Sequence, residues 1–321
     1  MRLGACAEPL HTSYDAGLLD LDGVLYRGAD PVEHAAAAVA TARSAGMRIA
    51  FVTNNASRHP AAVAAHLSAL GIAADAGEVV TSGQAAARTV AAAVAPGAAV
   101  LVVGTEALSE TVAGAGLTVV RRIDQAGPDG VAAVVQGLAP ETSMADLAEA
   151  TVALRAGALW VVANTDATLP SPRGLVPGNG AFVNLLQTVT GCEPIVAGKP
   201  DPALHVESVR RVRSSRPLVV GDRLETDVMG AVRGGADSLL VLTGVTDLAT
   251  LLAAPPGGRP TYIASDLRGL ATPHPDVLVE QDRATCGSAT ASLVDDRVQV
   301  DGSGEDALRA QVALSWARAD R

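Results

Sequence analysis

The chain has 321 residues, a length that suits two domains of ordinary size, or two with a small appendage. Hydrophobic residues make up 49% and aromatics only 2%, so a core has to be built from Ala, Val and Leu. The formal net charge of −10 argues against a nucleic-acid or anionic-membrane partner, because both need basic patches; an anionic substrate would need local positive charge from a metal or a few placed cations.

Residues 1–17 contain no apolar run of signal-peptide length and carry Glu8, His11 and Asp15. The longest apolar stretch, near 90–103, is interrupted by Pro96 and Gly97 and is too short to span a bilayer, so a cytoplasmic protein is expected. Short apolar runs predict buried parallel strands at 17–20, 47–53, 79–82, 100–104, 131–136, 159–164, 218–222 and 238–243. Ala-rich segments of helical spacing lie between them, at 32–45, 60–70, 83–94, 106–114, 143–156, 181–190, 202–213 and 226–234. Pro60 and Pro202 stand near helix starts, where the missing N–H costs nothing. Alternation of this kind predicts an α/β doubly wound fold. In the tail, 282–288 reads as a polar turn, 289–294 and 297–300 as a hairpin through Asp295 and Asp296, and 306–318 as an amphipathic helix. The acidic loop 301–305 lacks the ligand spacing of a calcium loop and reads as a plain turn. Cys6, Cys192 and Cys286 are too scattered for a disulfide or metal knuckle, and the six histidines are unpaired in sequence, which points to structural or surface roles.

Four clusters stand at predicted strand ends, where open α/β sheets bind ligands. Leu18-Leu19-Asp20-Leu21-Asp22-Gly23 ends an apolar strand in two carboxylates, which repel each other and resist desolvation unless a cation is near. Phe51-Val52-Thr53-Asn54-Asn55 delivers a hydroxyl and successive backbone N–H groups, which are suitable anion donors. Ala197-Gly198-Lys199-Pro200 holds the sole lysine among 24 basic residues; arginine has taken every other position. A compact point charge on a thin stem is what a site between carboxylates and a phosphate would keep. Val219-Val220-Gly221-Asp222, followed by Asp227, supplies two more carboxylates. Each cluster alone has an ordinary reading as a cap or turn. Their occurrence together, in this order and each after an apolar strand, does not.

These four clusters resemble the four motifs of the haloacid dehalogenase (HAD) superfamily, over roughly residues 15–275. Only 31 positions separate Asp22 from Thr53, too few for an inserted domain, whereas 146 separate Thr53 from Lys199. That spacing, together with Phe-Val-Thr-Asn-Asn-Ala-Ser-Arg (51–58) and Pro-Gly-Asn-Gly (177–180), is similar to the NagD-like phosphatases, whose cap lies between the second and third motifs. The expected layout is a HAD core at 1–83 and 179–284, an α/β cap at 84–178 and a C-terminal extension at 285–321. The strings at 102–108, 155–161 and 175–180 look most like an actinobacterial branch that hydrolyses glycerol 3-phosphate.

The resemblance implies a Mg²⁺-dependent phosphatase. Asp20 would be the nucleophile and Asp22 the general acid and base. Mg²⁺ would be held by Asp20, Asp222 and the backbone carbonyl of Asp22, with Asp227 orienting the groups around it. Thr53, the Asn54 N–H and Lys199 would bind the phosphate. In the expected cap rim, 164–179, Asn164, Asp166 and Arg173 are the candidates for contact with the leaving group. The implied partner is a small phosphorylated metabolite. Glycerol 3-phosphate is the first expectation, with phosphoglycolate or a broad p-nitrophenyl phosphate-type specificity as the alternative. A phosphomutase is disfavoured by the short segment after Asp22, and a dead metabolite-binding module by the intact motifs. The sequence is silent on oligomeric state; a homodimer through the cap is compatible with it.

Overall fold

Runs of Val, Leu and Ala with no polar alternation suit strands covered on both faces, and that is where a computed structural model places them. It describes residues 2–171 and 173–321, with Pro170 and Ser171 described as backbone only. Two compact units emerge: Met1–Phe51 with His66–Ala74 and Ser208–Arg321, and Val52–Ala65 with Asp75–Glu207.

In the first unit five parallel strands lie in the order Tyr262–Ala264, Asp237–Val241, Pro217–Gly221, Ala16–Leu19, Arg48–Thr53. The last of these ends at the boundary with the second unit. All four residues of Ala16–Leu19 are buried. Leu19 sits in register with Phe51 on one side and Val220 on the other. The chain therefore leaves the first strand between two neighbours reached by connections in opposite directions, the switch point at which such sheets bind ligands. Asp15, at the other end of that strand, accepts hydrogen bonds from Arg48, from the Ser214 and Ser215 hydroxyls and from the Ser215 and Arg216 N–H groups. Burial would raise its pKa, but these donors outweigh it and hold the carboxyl well below the usual carboxylate range.

The second unit carries a parallel sheet in the order Ile195–Val196, Leu159–Val162, Ala133–Gln136, Ala99–Val103, Thr118–Val120. Helices Ser82–Ala93 and Met144–Arg155 start on reciprocal caps, Thr81 with Gln84 and Ser143 with Asp146. Leu101, Val134, Leu154, Trp160, Val162 and Leu186 form its core. Because Ile195–Val196 forms an edge of this sheet, the compact unit runs past residue 178, beyond the span expected for the cap. Within the expected rim loop, Thr168–Ser171 and Gly174–Pro177 pair as an antiparallel hairpin. Pro170 and Pro177 would break a central strand, but an isolated two-stranded ribbon tolerates them. Pro172, in the same span, lies outside the described residues.

After the five strands of the first unit the chain adds a four-stranded antiparallel sheet, Leu278–Glu280, Arg283–Cys286, Ala289–Val294 and Arg297–Asp301, then the helix Gly304–Ala319. Asp295 and Asp296 take positive φ, 45° and 66°, the two-residue turn that matches strand twist. The expected turn at 282–288 is instead largely strand, because Ala284 and Cys286 are buried with Ala310 and Leu314 of the helix. Buried Arg309 donates to Gly4 O, Pro275 O and His274 Nδ1 at 2.8, 2.7 and 2.9 Å. A guanidinium only donates, so His274 carries its proton on Nε2 and gives it to Gly269 O. Desolvation, helped by the Arg309 charge, pushes the His274 pKa down and keeps the ring neutral.

Candidate active site

The first unit gathers carboxylates where its central strands end. Asp20 follows Leu19 directly, and its N–H donates to Val220 O at 2.8 Å. Asp222 follows Gly221 at the end of the neighbouring strand. Asp227 lies in the π-helical turn Leu224–Val228, in which the Val228 N–H reaches back five residues to Arg223 O at 3.2 Å. One carboxylate oxygen from each of Asp20, Asp222 and Asp227 lies within 4.8 Å of the others. Asp222 and Asp227 are 1% and 2% exposed and Asp20 is half-buried. Three carboxylates this close and this buried repel one another strongly unless a cation sits among them or protons are taken up. The donor set is oxygen only and suits a hard divalent ion. Asp22, by contrast, is exposed and outside this group.

A loop with no signature of its own in the sequence completes the acidic cluster. The Val245 N–H donates to Asp222 Oδ2 at 2.6 Å and the Thr246 N–H to Asp222 O at 3.1 Å. The Thr243 hydroxyl donates to Gly23 O at 2.6 Å, which ties this loop to the one after Asp20. Both loops approach Asp222 on glycines. A Cβ at Gly23, which also holds φ +81°, or at Gly244 would overlap the Asp222 carboxylate. The Asp227 carboxylate is held in turn by the Arg223 N–H at 3.2 Å.

The second unit gathers the other predicted residues. Thr53 is buried, and its hydroxyl oxygen accepts from the Asn55 N–H at 3.1 Å. That bond commits one of the expected anion-binding N–H groups internally, while the Thr53 hydroxyl proton remains available to an anion. Asn54 does more than offer its N–H. Its side chain grips the backbone of Lys199 on both sides: the Lys199 N–H donates to Asn54 Oδ1 at 2.7 Å, and Asn54 Nδ2 donates to Lys199 O at 3.0 Å. Lys199 Nζ lies 3.5 Å from Val52 O.

Asn54 is in turn held by a chain of buried amides. Asn164 Nδ2 donates to Asn54 O at 2.8 Å, and Asn179 Nδ2 donates to Asn164 O at 2.6 Å. Asn179 Oδ1 accepts from Gln136 Nε2 at 3.4 Å, and Gln136 Oε1 from the Trp160 indole at 3.2 Å. Asn164 is 7% exposed and its Oδ1 accepts from the Asp166 N–H at 3.2 Å. Both ends of its amide thus make a bond inside the fold, so Asn164 supports Asn54. Asp166 is half-buried at the foot of the hairpin. Arg173 is exposed at the hairpin's tip, so the four-residue strands, at about 3.3 Å per residue, hold it some way from Asn164.

Comparison with known proteins adds the relationship that these arrangements suggest. Residues 17–118 match the family model of haloacid dehalogenase-like hydrolases, and residues 196–270 a HAD-hydrolase-like model. The chain is 53% identical over 257 residues to D-glycerol 3-phosphate phosphatase of Mycobacterium tuberculosis, covering 80% of this chain and 71% of that protein. Two crystal structures of glycerol phosphate phosphatase Rv1692 from Mycobacterium tuberculosis superpose on 97% of the chain. The magnesium complex gives a TM-score of 0.85 at 44% identity over 92% of its chain, and the calcium complex 0.84 at 46% over 91%. A p-nitrophenyl phosphatase from Archaeoglobus fulgidus gives 0.74 at 28% identity, covering 80% of this chain and 98% of its own. With carboxylates at the ends of its central strands and this degree of identity, the chain belongs to the haloacid dehalogenase-like hydrolases.

Proposed function

We propose that the chain is a Mg²⁺-dependent phosphatase that hydrolyses glycerol 3-phosphate by way of a phosphorylated Asp20. The observation that carries this reading is the three-carboxylate cluster of Asp20, Asp222 and Asp227 at the switch point of the sheet. The kinship with a D-glycerol 3-phosphate phosphatase supports the choice of ester. Mg²⁺, held by Asp20, Asp222 and the Asp22 carbonyl, would neutralise charge so that an anionic nucleophile can meet a dianionic ester. Asp20 attacks the phosphorus in line. Asp22, which is exposed, would act first as the acid that gives a proton to the leaving alcohol and then, as a carboxylate, take one from the water that hydrolyses the aspartyl phosphate. The Thr53 hydroxyl, the Asn54 N–H and Lys199 bind the phosphoryl oxygens, with Lys199 fixed by the Asn54 clamp. Residues 84–178 act as the cap that selects the leaving group. No helix among the described residues is long and apolar enough to cross a membrane, and we place the protein in the cytoplasm.

Turnover is expected to require Mg²⁺ and to be poorly supported or inhibited by Ca²⁺. Both ions suit oxygen donors, but Mg²⁺ enforces a tight octahedron that Ca²⁺ relaxes. Phosphate release measured in excess chelator, then with each ion restored, reads this directly; full activity in chelator refutes it.

The choice of ester separates at Arg173. Glycerol 3-phosphate offers two hydroxyls and needs no cation beyond those on the phosphate, whereas phosphoglycolate carries a second carboxylate. Arg173 is the exposed cation of the hairpin tip. The wild type is expected to prefer glycerol 3-phosphate in kcat/KM over phosphoglycolate and p-nitrophenyl phosphate. Arg173→Ala should leave that order unchanged. A preference for phosphoglycolate that collapses in Arg173→Ala would overturn the substrate assignment and leave the phosphatase standing.

A further inference from the structure

The C-terminal helix Gly304–Ala319 is fastened within the first unit at points that converge on the acidic cluster. Trp316, on its last turns, is 2% exposed. Its indole N–H donates to Leu251 O at 2.9 Å, on the short helix Leu248–Leu252. That helix follows the loop whose Val245 and Thr246 N–H groups hold Asp222. The Arg259 guanidinium lies over the Trp316 ring, 4.9 Å from its centre, and is itself fixed by two bonds to Asp320 at 2.6 and 2.8 Å. Trp316, Val312 and Ala313 also share one buried apolar cluster with Leu224 and Val228. Those two residues begin and end the π-helical turn that carries Asp227. Two separate routes thus run from one rigid indole to two of the three carboxylates.

The segments at the ends of these routes need support. The turn 224–228 and the loop 243–247 are short and irregular, and the carboxylates they carry have to be held against mutual repulsion. A close-packed interior transmits a displaced neighbour where a loose one would absorb it. We propose that Trp316 is a positioning residue for the acidic cluster, setting its affinity for a divalent cation by fixing the Asp222 loop through Leu251 and the Asp227 turn through Leu224 and Val228. This inference rests on reading the cluster as a cation site.

A second residue of the same helix provides the control. Arg309 is as deeply buried, at 1% exposure, but its partners are Gly4 O, Pro275 O and His274. Trp316→Phe keeps a packed ring and removes the indole N–H; Arg309→Met removes the other anchor. Mg²⁺ binding is read by calorimetry on full-length protein, with thermal unfolding alongside. Both variants should melt below the wild type. Only Trp316→Phe should weaken Mg²⁺, by about tenfold, as supports around a ligand set commonly do. Its KM for p-nitrophenyl phosphate at saturating Mg²⁺ should be unchanged. Wild-type Mg²⁺ affinity in Trp316→Phe, or an equal loss in Arg309→Met, overturns the proposal.

Should Trp316→Phe fail to fold, a milder route remains. Trp160→Phe leaves Trp316 as the sole indole of a chain that has two. Its emission should then change saturably with Mg²⁺, in step with the calorimetric titration. A flat emission alongside measurable binding overturns the proposal. Absence of Mg²⁺ binding in the wild type would instead remove the cation reading itself, and this inference with it.

Discussion

Asp20→Asn is expected to lower kcat by at least about a thousandfold while leaving the fold intact, because an amide keeps the shape of the side chain and removes the nucleophile. The fold should survive because the structural duty of residue 20 lies in its backbone, whose N–H donates to Val220 O. The side chain stands one residue beyond a strand buried along its whole length. Thermal unfolding provides an internal check with a definite sign. Without metal, the wild type confines three carboxylates within 4.8 Å, and the variant confines two. In chelator the variant should therefore melt at or above the wild type, and with Mg²⁺ restored the wild type should gain more, since a ligand stabilises in proportion to its affinity for the native state. A purified variant that still releases phosphate at near wild-type rate would refute a covalent mechanism on Asp20. A variant that melts far below the wild type in chelator would mean that the carboxylate serves folding.

Much of this was legible in the sequence because the decisive strands are buried on both faces. Runs such as Leu18–Leu19, 49–53 and 218–221 cannot be amphipathic helices and leave little choice of element or end. The carboxylates after them, Asp20 and Asp222, were visible for the same reason: a charged residue that terminates such a run marks the end of a central strand. Elements that escaped notice are those whose apolar content is too short to register, Thr118–Val120 and Tyr262–Ala264, or whose partners supply the burial, such as Arg283–Cys286 beneath the C-terminal helix. Supports of the site were hidden for a different cause. The grip of Val245 on Asp222 joins residues 23 apart, and the Asn54 clamp on Lys199 joins residues 145 apart. Gly, Val and Asn in such places read locally as turns. Asn164 illustrates the consequence: a polar residue in a Gly- and Pro-rich stretch suggests a rim, and nothing local shows the bonds its amide makes to Asn54 O and from the Asp166 N–H.

Lys199→Arg is expected to reduce kcat by about tenfold to a hundredfold despite keeping the charge, near the range known for loss of one transition-state donor. The backbone of residue 199 cannot shift to accommodate a larger head. Its N–H and C=O are both held by the Asn54 side chain, at 2.7 and 3.0 Å, and Asn54 is anchored through Asn164 to the buried amides beyond. From this fixed base the lysine stem directs Nζ near Val52 O, 3.5 Å away, at the end of the strand that presents Thr53. An arginine from the same base is longer and ends in a planar fork whose charge is spread over three nitrogens. It cannot put a point charge where the ammonium stands without moving a backbone that the clamp holds still. Arginine occupies the 23 other basic positions of this chain, so the substitution restores the chain's own habit at one place. The measurement is kcat for p-nitrophenyl phosphate at saturating Mg²⁺, with thermal unfolding as the check on folding. A variant within about twofold of wild-type kcat, less than one weak hydrogen bond is worth, would mean that the ammonium does not bind the transferring phosphoryl group and that the single lysine is a coincidence of composition.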